Sequence, residues 1–100
     1  MIVCNQTTNV NTPTIQSSST ALASNPARVG WTIQNLGQNE LYVLMGSGAS
    51  TTVFHTALKK GTANDDGTAG SVGQEQGVVY TGIITIAGTS TRYTVVEFAP

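Results

Sequence analysis

The chain is predicted to fold as an all-β domain, a small antiparallel sandwich or barrel of about five to seven strands, and three observations carry that expectation. Short segments rich in Val, Ile, Thr, Tyr and Phe recur along its length. Clusters of Gly, Asn and Ser interrupt them about every ten positions. No stretch of ten or more residues spaces its apolar side chains by three and four, as a helix lying on a core requires. One hundred residues make one domain with a single modest core.

Residues 1–25 are read as an extended polar arm in front of an all-β domain at 26–100. The run Ser17-Ser18-Ser19 and the many Asn and Thr residues before it are too polar to build a core. At most a short strand is expected around Val10 to Ile15. Such a segment suits strand addition to another sheet edge, because β-branched side chains fit a pleat and Ser and Asn compete for helical backbone bonds. The plain alternative is a loosely ordered terminus.

Val29, Trp31 and Ile33 alternate with Arg28, Gly30, Thr32 and Gln34, the period-two signature of a half-buried strand. The turn residues Asn35-Leu36-Gly37-Gln38-Asn39 follow. Leu41-Tyr42-Val43-Leu44-Met45 then returns, predicted as a hairpin partner that is central in its sheet because it is apolar on both faces. Gly46-Ser47-Gly48 ends it. Thr52 to Leu58 is predicted as a third strand, stopped by Lys59-Lys60-Gly61, and Thr62 to Gln76 as a long loop of functional or disordered character. Val78 to Ile86 and Arg92 to Phe98 are predicted to form a second hairpin about Ala87-Gly88-Thr89-Ser90. The expected interior is Val29, Trp31, Ile33, Leu41, Val43, Met45, Phe54, Leu58, Val79, Ile83, Ile84, Ile86, Tyr93, Val95 and Val96, with Trp31 the largest burial.

Charge is scarce. Lys, Arg, Asp and Glu together make 9% of the residues, against roughly 25% in a typical soluble domain. The four cations Arg28, Lys59, Lys60 and Arg92 are scattered, so no basic stripe is available for phosphates and nucleic acid is an unexpected partner. A net charge of −1 leaves little repulsion between copies and favours association. Cys4 is the sole cysteine and cannot form an internal disulfide, which fits synthesis in a reducing cytoplasm. No signal peptide and no stretch of the roughly 18 apolar residues of a membrane span is recognised.

Candidate chemistry is thin. His55 is the only histidine, and a single His without a cysteine cluster cannot assemble a metal site, so a hydrogen-bonded strand residue is the default reading. A hydrolase would have to combine His55 with Asp65 or Asp66. Asn64-Asp65-Asp66-Gly67 reads as a tight turn more readily than as a calcium loop, since no glutamate follows at the required distance. Gly46-Ser47-Gly48 and the Gly67 to Gly73 stretch lack the Lys-Ser/Thr of a phosphate cradle. Trp31, Tyr42, Tyr80 and Tyr93 fall in predicted strands, which suits core or interface better than an aromatic platform for sugar or single-stranded DNA. No catalytic, cofactor or metal residue is assigned.

The run Arg28-Val29-Gly30-Trp31-Thr32-Ile33-Gln34-Asn35-Leu36-Gly37, with Leu41-Tyr42-Val43 and Thr81-Gly82-Ile83-Ile84-Thr85-Ile86-Ala87-Gly88-Thr89-Ser90, resembles small all-β virion proteins of tailed bacteriophages, head decoration or cement proteins in particular. The likeness covers residues 26–98 and lies in general character, that of a short chain rich in Thr and Gly, poor in charge, with a polar N-terminal arm. It implies a non-enzymatic protein on the capsid exterior that ties coat subunits together, often as a trimer, with the major capsid protein as partner. The arm is then the expected contact and the Thr62 to Gln76 loop the second. The alternative is a tail or fibre accessory domain that binds a host-surface glycan through that loop and nearby tyrosines.

Overall fold

The computed structural model describes residues 19–63, 67–75, 77–88 and 92–99. Among them are seven strands and no helix: β1 (Ser19–Leu22), β2 (Gly30–Asn35), β3 (Leu41–Met45), β4 (Thr56–Leu58), β5 (Ser71–Gln74), β6 (Ile84–Gly88) and β7 (Tyr93–Phe98). They form a four-stranded sheet in the order β1-β6-β3-β4 and a three-stranded sheet in the order β5-β2-β7. Every strand pairing is antiparallel, and the two sheets are not closed into a barrel. The predicted sandwich is therefore the architecture.

Period-two alternation places the core where expected. Trp31 and Ile33 of β2 and Tyr93 and Val95 of β7 face Leu41 and Val43 of β3, Ile84 and Ile86 of β6, Leu22 and Leu58, in one buried cluster. Trp31, 1% exposed, is the bulkiest of the fully buried side chains. Several expected members sit at the margin instead: Val29, Met45, Val79, Ile83 and Val96 are half-buried, and Phe54 is 39% exposed. Ala49, Ala87, Arg28, Asn35 and Thr85 are buried without having been expected.

Both predicted hairpins are overturned. β2 lies in the three-stranded sheet and β3 in the four-stranded one, so Leu36 to Glu40 arches between sheets. The same holds for β6 and β7. Alternation specifies which side chains face the interior, but an arch across the core satisfies that pattern as well as a U-turn within one sheet. The neighbours of β2 are β7, with Ile33 opposite Val95, and β5, with Ile33 opposite Val72.

Two predicted strands are shorter than expected, because other groups take their backbone bonds. The Ser50 hydroxyl accepts the N–H groups of Thr52 (3.2 Å) and Val53 (2.9 Å), which curls the chain and leaves Thr56–Leu58 as β4. In the 78–83 segment, Val78 N–H closes a turn onto Glu75 O and Tyr80 N–H goes to the Gln74 side chain, so β6 begins at Ile84 and runs through Gly88 into the predicted turn. The Thr62 to Gln76 stretch, expected to be strand-free, contains β5. Ser19–Leu22 of the segment read as an arm forms β1, paired with β6, while the strand expected around Val10 to Ile15 lies outside the described residues.

β3 is interior to its sheet, as its composition suggested, yet Tyr42 and Leu44 are only half-buried. The strand buried at every position is β6. Its outer face is covered by the chain that leaves β3. Thr85 Oγ1 donates to Gly46 O at 2.6 Å and accepts the Ala49 N–H at 3.2 Å, and Gly48, with φ +86°, takes a left-handed turn between them.

Two buried polar clamps hold the sandwich at opposite ends of β2. Arg28 precedes the strand, and its side chain is fully buried. Its Nε donates to Glu97 Oε2 (2.8 Å), Nη1 to Tyr80 O (2.8 Å) and Gly82 O (3.0 Å), and Nη2 to Ala23 O (2.6 Å). One guanidinium thus joins β7 to the segments that follow β1 and lead into β6. At the other end, the Asn35 amide donates to Asn39 O and to Leu58 O and Lys59 O, and its Oδ1 accepts the Gly37 N–H. That ties the β2–β3 arch to the end of β4.

Candidate functional site

His55 sits just before β4. Its backbone N–H donates to Val43 O (2.8 Å), and its Nδ1 accepts the Met45 N–H (3.1 Å). Nδ1 is thereby engaged by the backbone of the same chain. In this arrangement the ring braces the loop that leaves β3. Asp65 and Asp66, the acids paired with it in the hydrolase reading, lie outside the described residues. Among the described residues no group of three or more His, Cys, Asp or Glu converges on a point that could hold a metal ion.

The four aromatics divide. Trp31 and Tyr93 are core, and the indole N–H donates to Gln74 Oε1 at 3.1 Å. Tyr80 packs half-buried against the core. Tyr42 remains on the outer face of the four-stranded sheet, tilted 51° against Phe54 with ring centroids 4.8 Å apart. Phe54 was expected inside; residues 52–55 do not join a sheet, which leaves its ring at the surface. The aromatic cluster available to solvent is therefore Tyr42–Phe54, on β3 and the chain leading to β4, and not the neighbourhood of the Thr62 to Gln76 loop.

That loop is pinned at both ends. Gly61 N–H donates to Gly37 O (2.9 Å), Gly70 N–H to Lys59 O (3.0 Å), and Thr62 N–H to the Thr68 hydroxyl (2.8 Å). Its Asn64 to Asp66 tip is outside the described residues. Its far end is β5, an edge strand of the three-stranded sheet.

The surface is even less ionic than the composition implies, since Arg28 and Glu97 (side chain 16% exposed) spend their charge on each other and on backbone carbonyls. The outer face of the three-stranded sheet shows Thr32 and Gln34 of β2, Thr94 and Val96 of β7, and Ser71 and Gly73 of β5, without a charged side chain among them. Lys59, Lys60, Glu40 and Glu75 are exposed on loops around the sandwich. Sequence reasoning missed the internal use of Arg28, because its acidic partner is 69 positions away and no local spacing links them. No family model, no curated protein and no solved structure matches the chain.

Proposed function

We propose that the protein is a non-enzymatic structural component of a phage virion, a decoration or cement protein that binds the outside of an assembled head and reinforces contacts between coat subunits. The observation that carries this reading is the charge-poor, hydroxyl- and amide-bearing surface of a β-sandwich whose buried ion pair is turned inward. Such a surface adheres through backbone bonds and close fit, not through charge. Binding the assembled shell and not its free subunits stabilises the shell by mass action. Association as a trimer multiplies weak contacts through effective concentration. The polar segment ahead of β1 is the proposed anchor.

The test is reconstitution on purified capsids stripped of their decoration. Saturable binding is expected, with occupancy nearly the same from low to molar NaCl because few ion pairs cross the contact. Deleting residues 1–18, which spares β1, is expected to lower occupancy at least about tenfold, the equivalent of 1.4 kcal/mol. Failure to bind, or steep release by salt, overturns the reading. The exposed Tyr42–Phe54 pair favours a second one, a tail or fibre domain stacking a glycan on those rings; a glycan array that reports binding lost in Phe54→Ala would support it.

A further inference from the structure

Four features coincide at the edge of the three-stranded sheet. Asn35 N–H donates to Gly70 O, and the β2–β5 register places Ile33 opposite Val72 and Trp31 opposite Gln74. In an antiparallel ladder hydrogen-bonded residues alternate, so Gly70 O and the backbone groups of Val72 and Gln74 are directed at β2, and the N–H and C=O groups of Ser71 and Gly73 point away from it. Both residues are exposed.

The opposite edge of this sheet is closed. Leu36 N–H donates to Arg92 O, which sets the phase so that the backbone N–H and C=O groups of Tyr93, Val95 and Glu97 are directed away from β2. There Val95 is completely buried, and Glu97 is held by Arg28 and Asn25.

The second feature is Gly73 itself. A Cβ there would lie 2.5 Å from Trp31 O and 2.8 Å from the Thr32 methyl, so close pairing with β2 demands glycine, and residue 73 raises no side chain above the outer face. Third, the surface beside Gly73 is a groove of about 540 Å³ lined by Thr32, Gly73, Gln74, Glu75 and Val78. Fourth, Val78 projects into solvent at 74% exposure. The turn that carries it is fixed by Val78 N–H on Glu75 O, and the chain beyond by Tyr80 N–H on Gln74 Oε1, the oxygen that also accepts the Trp31 indole.

We infer that the β5 edge is a strand-docking site: it takes an extended peptide segment of a partner protein, bonded to the Ser71 and Gly73 backbone, with an apolar side chain opposite Gly73 seated in the groove against Val78. Glu75 lies two residues from Gly73, on the same face of the chain, so a lysine or arginine two positions from the apolar residue meets the carboxylate. Backbone bonds supply affinity and the groove supplies selectivity. A glycine opposite a large side chain in a neighbouring strand is a known complementary pairing.

The occupant is not a second β5. Antiparallel self-pairing through Ser71 and Gly73 puts Ser71, Gly73 or Ala69 of the other copy opposite Gly73, depending on register, and none of them fills the groove. The inference goes beyond the cement reading and does not require it, since the site is a property of the isolated chain.

The probe is the acetylated, amidated peptide Thr-Lys-Thr-Leu-Thr-Lys-Thr, symmetric so that either strand direction is served, titrated into the full-length 15N-labelled chain. Saturable amide shifts are expected at Ser71, Gly73 and Val78. The peptide with its leucine replaced by aspartate is expected to bind at least about tenfold more weakly. Ser71→Pro removes an outward N–H while sparing the β2 ladder, a substitution edge strands tolerate. It should weaken the leucine peptide by a similar factor, with amide exchange of Val72 and Gln74 unchanged. Equal binding of both peptides, shifts centred elsewhere, or no shift at millimolar peptide overturns the inference. So does concentration-dependent protection of Ser71 and Gly73 without peptide, which would assign the edge to another copy of the chain.

Discussion

The two sheets solve the problem of their outer faces differently. The four-stranded sheet is covered by its own chain over β6: the segment after β3 folds back there, Thr85 bonds both Gly46 and Ala49, and every residue of β6 is buried. Among the described residues, none covers the three-stranded sheet in this way. Its outer face carries Thr32, Gln34 and Thr94, and its β5 edge keeps two outward backbone pairs. An antiparallel sheet can leave one face wet when that face is polar, and here the polarity is supplied by hydroxyls and amides without charge. Among the described residues, the backbone covers β6 of one sheet and leaves the outer face of the other to polar side chains.

The largest effect is expected where Arg28 joins the two sheets. Arg28→Met leaves Glu97 Oε2 and three backbone carbonyls at the sandwich margin without the guanidinium that donates to them, and stability measured by urea unfolding is expected to fall by about 3–5 kcal/mol. Arg28→Lys should rescue little of this, because one ammonium cannot reach four acceptors in the guanidinium's planar arrangement. A loss under about 1 kcal/mol would mean that the sheets are held by apolar contact alone. A smaller effect tests the cover of the four-stranded sheet. Thr85→Val keeps the shape but removes two hydrogen bonds, each worth roughly 0.5–1.5 kcal/mol. Exchange of the Ala49 amide should accelerate while that of β2 amides holds, and unaltered Ala49 exchange would show that the loop needs no strap. The smallest effect belongs to the bare sheet: Thr32→Ala should change stability by less than about 0.5 kcal/mol. A larger loss would show that this face already has a partner within the fold.

Much of the architecture was legible. The alternation Val29, Trp31, Ile33 and the apolar runs at 41–45, 84–86 and 93–96 identified strands, and Trp31, Ile33, Val43, Ile86 and Val95 all point inward. The turn residues Asn35 to Asn39 were also recognised, but their purpose was not. Asn35 serves as a clamp on Leu58 and Lys59, and the loop it begins crosses the core instead of reversing within a sheet. The groove at β5 was invisible for the same reason: Thr32, Gly73 and Val78 are separated in sequence and meet through a pairing that no local pattern encodes.

What the sequence alone determined is the class of structure and the character of its surface. Side-chain periodicity dictates strands with one apolar face, and a composition of 9% charged residues dictates a neutral exterior whatever the topology. Tertiary structure decided which strands are neighbours, where Arg28 and Asn35 spend their hydrogen bonds, and which edge keeps its backbone groups outward. Those outcomes depend on contacts between residues tens of positions apart, settled by the fit of two whole faces and not by any preference that a short segment carries within itself.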